Sequence, residues 1–251
     1  MTVGEALTIC VCTYNSAKTL TRCLARIRSI APESRLLVVD HCSQDETIEI
    51  AARFDSEVFR EAKGLGYARQ LCFDNTTTEY IAFVDSDVEI MRPDFFDIAT
   101  RILQNIEYGA VVGMAVGHRF QYGLPASLLV LRKRDFLGKI IPDYIDARET
   151  FFIQKHLDRK RSGTYYVLDS MVHRSQFRKF KPEWEGANTR LLPNSKPREL
   201  LSALKVIMLL SLNSRNVKNI VYAPIFYVKF LRGFASPAPW LRMKRQVSVE
   251  T

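Results

Sequence analysis

The sequence predicts an α/β fold with a mostly parallel central sheet flanked by helices, followed by an apolar helical appendage at the C-terminus. Three observations predict it. Short unbroken apolar runs alternate with segments of helical period over residues 7–90. Polar residues cluster where those runs stop. From about residue 196 the chain turns apolar nearly all round.

Leu7–Cys12 is a run without a polar break, as in a strand covered on both faces. Thr13-Tyr14-Asn15 ends it, and Asn15 or Ser16 is placed to cap a helix carrying Leu20, Leu24, Ile27 and Ile30. Leu36–Val39 is a second strand ending at Asp40. A helix with Ile48, Ala51 and Ala52 follows, opened by Ser43 or Asp45. Val58-Phe59 marks a third, shorter strand. Gly64-Leu65-Gly66 leads into a helix through Ala68, Leu71 and Cys72, and Tyr80–Val84 is a fourth strand. Further on, Pro93 opens a helix, residues 108–116 form a strand, and Leu128–Leu131 fits either type. A helix runs from Ala147 to about Arg161, and Tyr165–Leu168 is a last strand before His173.

In a sheet built this way ligands bind at the carboxyl ends of the strands. Asp85-Ser86-Asp87 stands at such an end. Two carboxylates two residues apart on an extended segment project to the same side, roughly 6.6 Å apart. There they can hold a divalent cation, which can carry the charge of a departing diphosphate. Asp40 supplies an acceptor for a base or ribose, and Arg69 can pair with phosphate oxygens. Gly64-x-Gly66 is by itself a helix-start loop and not a dinucleotide fingerprint, because it does not follow the first strand.

Four pieces occur in order: Thr13-Tyr14-Asn15, Val38 through Thr47, Gly66-Tyr67-Ala68-Arg69 and Phe83 through Asp87. Together this series resembles the signature of family 2 glycosyltransferases. The resemblance implies an A-type glycosyltransferase fold, Rossmann-like, and inverting transfer of one sugar from a nucleotide-diphosphate sugar. It implies nucleotide-sugar contacts from Thr13, Tyr14, Asn15, Asp40, Gly66, Arg69, Asp85 and Ser86. It implies a metal, Mn²⁺ or Mg²⁺, on Asp87 with Asp85 assisting and His173 completing the shell. Glu149, in a Glu149-Thr150 pair where the family has Glu-Asp, is the expected general base, with Asp146 and Asp143 behind it. His41 and Cys42 depart from the family pattern and leave the donor base open. The processive synthases' Gln-x-x-Arg-Trp motif is missing, which favours single transfer.

On this reading residues 1–195 form the catalytic domain, about 1–105 for the nucleotide-sugar half and 106–195 for the acceptor half. Residues 196–251 form a helical, membrane-interfacial extension. Charge agrees with such a division. Residues 1–100 hold 10 Lys/Arg against 16 Asp/Glu, whereas residues 101–251 hold 26 against 11. In the tail, the uncharged runs between Lys205 and Arg215 and between Lys218 and Lys229 span only 9 and 10 residues. They are too short to cross a bilayer and fit helices lying in an interface, a packing element or a dimer seam. Trp240 beside Arg242, Lys244 and Arg245 fits an anionic membrane surface. The five cysteines form no zinc spacing, and no signal segment precedes the first strand, so a cytoplasmic protein peripheral to the inner face of the cell membrane is expected. The expected partners are a nucleotide-diphosphate sugar and a glycan or lipid-linked acceptor, with a homodimer open and no nucleic-acid motif in view. The rival readings are a nucleotidyltransferase, which would need a Gly-rich, Arg-bearing loop after the first strand, and a non-catalytic sugar-nucleotide-binding or membrane scaffold protein.

Overall fold

The computed structural model describes residues 6–119, 123–145, 147–175, 181–193, 196–213, 217–238 and 240–241. They fall into two compact units. The first holds the chain to His118 and residues 123–176, and the second holds the rest.

In the first unit the alternating segments fold in order: β1 (Leu7–Thr13), α1 (Ala17–Ile30), β2 (Arg35–Asp40), α2 (Thr47–Ala52), β3 (Glu57–Arg60), α3 (Leu65–Asn75) and β4 (Tyr80–Asp85). Then come β5 (Val88–Ile90), α4 (Phe95–Gln104), β6 (Tyr108–Ala115), β7 (Leu128–Arg132), α5 (Thr150–Lys160) and β8 (Gly163–His173). They build one eight-stranded sheet, ordered β3-β2-β1-β4-β7-β6-β8-β5.

The sheet is mixed, not mostly parallel. β1 pairs in parallel with β2 and β4, β2 with β3, and β6 with β8. β7 is antiparallel to both β4 and β6, and β5 is antiparallel to β8. The reversal enters through Leu128–Arg132, a strand buried at all five positions. A run covered on both faces has no alternation, so its sequence says neither strand nor direction.

Helix α1 shows why the first half folds as it does. Leu20, Cys23, Leu24 and Ile27 recur at helical spacing and all are buried. They meet β1 and β2 residues such as Ile9, Val11 and Val38 in the main core. On the other face of the sheet Phe73 packs edge-on against Phe83 and stacks on Phe136, with ring centroids 5.3 and 5.5 Å apart.

Register fixes the functional edge. Thr13 lies opposite Asp40, and Cys12 opposite Asp85. The carboxyl ends of β1, β2 and β4 therefore finish side by side.

The second unit contains α6 (Pro182–Leu191), α7 (Lys196–Asn213) and α8 (Val217–Ala235). Helix α6 packs with α8, so it groups with the C-terminal helices. The crossing is so close that a Cβ on Gly233 would lie 1.8 Å from the Glu183 carbonyl oxygen. Phe230, Phe234 and Ala203 form a small buried cluster beside it. Leu201, Met208, Val221, Tyr222, Ile225 and Val228 remain exposed. Among the described residues no helix is long and apolar enough to cross a membrane.

Candidate active site

The site is assembled from four loops at the carboxyl ends of the strands. The loops after β1 and β2 are joined by Asp40. Its carboxylate is fully buried and accepts from the Thr13 hydroxyl at 2.8 Å, the Ser43 amide at 2.7 Å and the Ser43 hydroxyl at 2.5 Å. Ser43 Oγ in turn accepts from the Asn15 amide, and Asn15 Oδ1 accepts from the Gln44 amide. Asn15 takes a left-handed φ of 47°, a conformation asparagine tolerates better than most residues. The start of α1 is capped across the loops and that of α2 locally, both by one residue. Asp45 accepts from the Ala17 amide at the head of α1 and the Thr47 amide at the head of α2. Ser16 and Asn15 themselves give α1 no side-chain cap.

Tyr14 is half exposed at this edge and meets the His41 ring edge-on, 5.3 Å between centroids. His41 is held from behind by Glu61, with Nδ1 2.7 Å from Oε1. The other Glu61 oxygen accepts from the Lys63 and Gly64 amides at 2.6 and 2.7 Å. A carboxylate in that position accepts only, so the His41 proton sits on Nδ1.

The acidic triplet sits between β4 and β5. Ser86 Oγ is 3.0 Å from Ser16 Oγ, which ties the triplet to the first loop. Asp85 and Asp87 have different partners. Asp85 Oδ1 accepts from Arg69 Nη2 at 3.1 Å. Arg69 is buried and its Nε also lies 2.9 Å from Glu149 Oε1, although the N–H does not point at that oxygen. Burial alone would lower the Arg69 pKa, but Glu149 and Asp85 outweigh it and hold the guanidinium firmly charged.

Asp87 faces β8. Its Oδ1 is 3.2 Å from His173 Nδ1, and its Oδ2 accepts from Ser175 Oγ. Burial would raise the Asp87 pKa, yet His173 and Ser175 together leave it below the usual carboxylate range. His173 and His118 are close enough to interact electrostatically. Burial and His173 lower the His118 pKa.

The expected residues thus separate into groups. Thr13, Tyr14, Asn15, Asp40, Asp85, Ser86 and Asp87 gather at one edge, with His173 beside Asp87. Arg69 is enclosed between two carboxylates, not open at the surface. Gly66 is buried against the chain. A Cβ there would lie 2.2 Å from the Ile145 carbonyl oxygen, which accepts the Gly66 amide at 3.1 Å. Its lack of a side chain serves loop packing. Asp143 pairs with Lys139 at the surface. Asp146 lies outside the described residues.

Ser16 and Ser43, which the sequence offers only as helix caps, and Glu61, which it does not single out, organise the site. Gln70 is a fourth, its Oε1 accepting from the Ile140 and Ile141 amides at 2.9 Å each. A Ser, Glu or Gln near a strand end or on a helix carries no sequence signal until its loop partners are known.

Among the described residues no three His, Cys, Asp or Glu side chains form a ready-made cation site. Asp87 and His173 nevertheless fit a divalent ion. They offer one carboxylate and one imidazole side by side, donors that suit Mn²⁺, and such ions commonly take their remaining ligands from substrate phosphates and water.

The fold is that of the A-type glycosyltransferases. Residues 8–125 match the family described as Glycosyl transferase family 2, and over that stretch the chain is a family 2 glycosyltransferase domain. Solved structures share the fold. Mannosyltransferase PcManGT from Pyrobaculum calidifontis, in complex with GDP-Man and Mn²⁺, aligns with a TM-score of 0.64 at 16% identity, covering 97% of this chain and 79% of that one. Glucosyl-3-phosphoglycerate synthase from Mycobacterium tuberculosis, with Mn²⁺, UDP and phosphoglyceric acid, aligns at 0.56 and 17%, covering 69% and 72%. S. aureus TarS aligns at 0.56 and 18% over 82% of this chain, which spans only 43% of the TarS chain.

Proposed function

We propose that this protein is a metal-dependent, inverting glycosyltransferase that moves one sugar from a nucleotide-diphosphate sugar to a lipid-linked acceptor. One observation carries the reading: the Asp87–His173 pair stands beside the Asp85-Ser86 turn, at the strand edge where Thr13, Tyr14 and Asp40 gather. Solved structures of the same fold that hold Mn²⁺ with a nucleotide or nucleotide sugar support it.

The roles follow from chemistry. Tyr14 offers a ring face for a base, and the loops joined by Asp40 offer amides and hydroxyls to base and ribose. Asp87 and His173 hold the cation, with Asp85 and Ser86 lining its approach. When bound, that cation stabilises the charge of the departing diphosphate. Asp85 and Asp87, anionic themselves, would act on the diphosphate only through that cation, with the Ser86 hydroxyl beside them, while the acceptor approaches from the opposite face of the sugar. A hydroxyl acceptor must lose its proton, and Asp146 is the sequence's remaining candidate for that base. An acceptor phosphate, already ionised, needs no base.

The second unit supplies the membrane contact. Val221, Tyr222, Ile225 and Val228 are exposed on α8, with Lys229 and Arg232 exposed on the same helix. Apolar residues beside cations suit the surface of an acidic bilayer.

Thermal-shift titration with UDP, GDP, CDP and ADP, each with and without Mn²⁺, tests the reading. Stabilisation by one nucleotide, present only with Mn²⁺, is expected. No stabilisation by any nucleotide would remove the transferase assignment.

A further inference from the structure

The Glu-Thr pair at the start of α5 first reads as the place of the general base. The geometry gives Glu149 a different part. Its side chain is 8% exposed and its carboxylate lies against Arg69, itself 4% exposed. Arg69 reaches Asp85 with Nη2, on the same edge of its guanidinium as the Nε that faces Glu149. A guanidinium spreads its donors over a rigid plane, so it can be shared between two carboxylates in a way an ammonium cannot. Asp85, one-third exposed, is the only member of the three that opens toward the site.

We infer that Glu149 is a positioning residue: it draws the Arg69 guanidinium part-way back from the acidic triplet, and so sets where the Asp85 carboxylate stands for the donor. Two observations support this. Among the described residues the Arg69 Nε–H makes no hydrogen bond although Glu149 Oε1 is 2.9 Å away, so the guanidinium bonds Asp85 and is not seated squarely on Glu149. A carboxylate enclosed against a buried cation is also badly placed to take a proton from an acceptor, since ionisation is what Arg69 needs from it. With Glu149 neutral, the whole Arg69 charge falls on Asp85 and pulls it off its place. Asp85 is thereby kept distinct from Asp87, which looks to His173 instead.

The inference rests on the proposed nucleotide-sugar site, and the test separates the two. UDP and GDP, each with Mn²⁺ and with no acceptor present, are titrated calorimetrically into wild type, Glu149→Gln and Glu149→Asp. A general base takes no part in donor binding. Its loss would leave nucleotide affinity intact and cut kcat by about 10²–10⁴-fold. A positioning residue predicts the reverse emphasis. Nucleotide affinity in the presence of Mn²⁺ falls by about 10–100-fold for the Gln variant, the usual yield of removing a group that orients a ligand. The Asp variant keeps the charge and recovers part of the loss. In the cycle with Asp85→Asn the two losses are non-additive, because both act through one carboxylate. Should Glu149→Gln fail to fold, the Asp variant and its cycle with Asp85→Asn carry the same comparison. A lower melting temperature with unchanged nucleotide affinity would make Glu149 a structural ion pair and overturn the inference. Wild-type protein that binds neither UDP nor GDP and is stabilised by neither CDP nor ADP overturns the proposed function itself.

Discussion

Asp87 and His173 stand side by side because β5 and β8 run antiparallel, with Val88 directly opposite His173. Residues 86 positions apart in the sequence are thus brought to 3.2 Å by a strand of only three residues.

Asp87→Asn removes the charge from this pair while keeping its size. The variant is expected to lose Mn²⁺-dependent nucleotide binding and to keep its fold. Calorimetric titration of UDP or GDP with and without Mn²⁺ measures the first, and far-UV circular dichroism the second. Nucleotide binding that is indifferent to both EDTA and Asp87→Asn would take the metal away from this pair.

Asp45 joins the heads of α1 and α2. Burial would raise its pKa, but hydrogen bonds from Thr47 and Ala17 outweigh that and leave it low. A carboxylate whose pKa is lower folded than unfolded stabilises the fold above its unfolded pKa, about 3.9, and loses that contribution as pH falls through the folded value. Asp45→Ala should therefore destabilise at pH 7 by about 1 kcal/mol, as loss of a helix cap does. The difference between variant and wild type should shrink below about pH 4. Urea denaturation at a series of pH values reads it. A gap that stays constant from neutral to acid would assign the effect to packing.

Gly66→Ala places a methyl group against the Ile145 carbonyl oxygen, 2.2 Å away before relaxation. Backbone opposes it, so the neighbour yields only by moving the loop. A loss of about 1–3 kcal/mol is expected, as for overpacking elsewhere. Proteolysis in the 138–145 segment should rise with it. Unchanged stability would show that the loop moves freely and takes no part in fixing α3.

Substituting Ser for Val221, Tyr222, Ile225 and Val228 together tests the membrane face. Wild type should float with acidic vesicles, less so as salt rises, and the variant should stay behind. Melting temperature should change little, since all four side chains are exposed. Wild type that never floats at low salt leaves α8 without a lipid role.

Much of this architecture is legible in the sequence, and unevenly so. The β-α alternation from Leu7 to Asp85 is plain because each helix has one apolar stripe and each strand an unbroken run. The triplet Asp85-Ser86-Asp87 is weak alone, because an Asp-x-Asp at a strand end usually marks a turn or a cap, and it gains meaning from the three pieces that precede it in order. β7 is hidden, since five buried residues look alike in either direction. β5 is hidden because three residues make no period. Gly66 reads in the sequence as a ligand contact, and only packing shows its close approach to Ile145. Glu61 gives no signal at all. Its value lies in His41 on one side and two backbone amides on the other, and no spacing announces those contacts. Glu149 and Arg69 are 80 positions apart in sequence, and only packing shows that they share a charge.

Asp40 has a last implication. By accepting from Thr13 and twice from Ser43 it fastens the loops after β1 and β2 to each other with the protein's own groups. The conformational entropy of those loops is lost during folding, not during recognition. A nucleoside bound at Tyr14, as proposed, would meet a preorganised surface, and its affinity would not be reduced by the cost of ordering that surface.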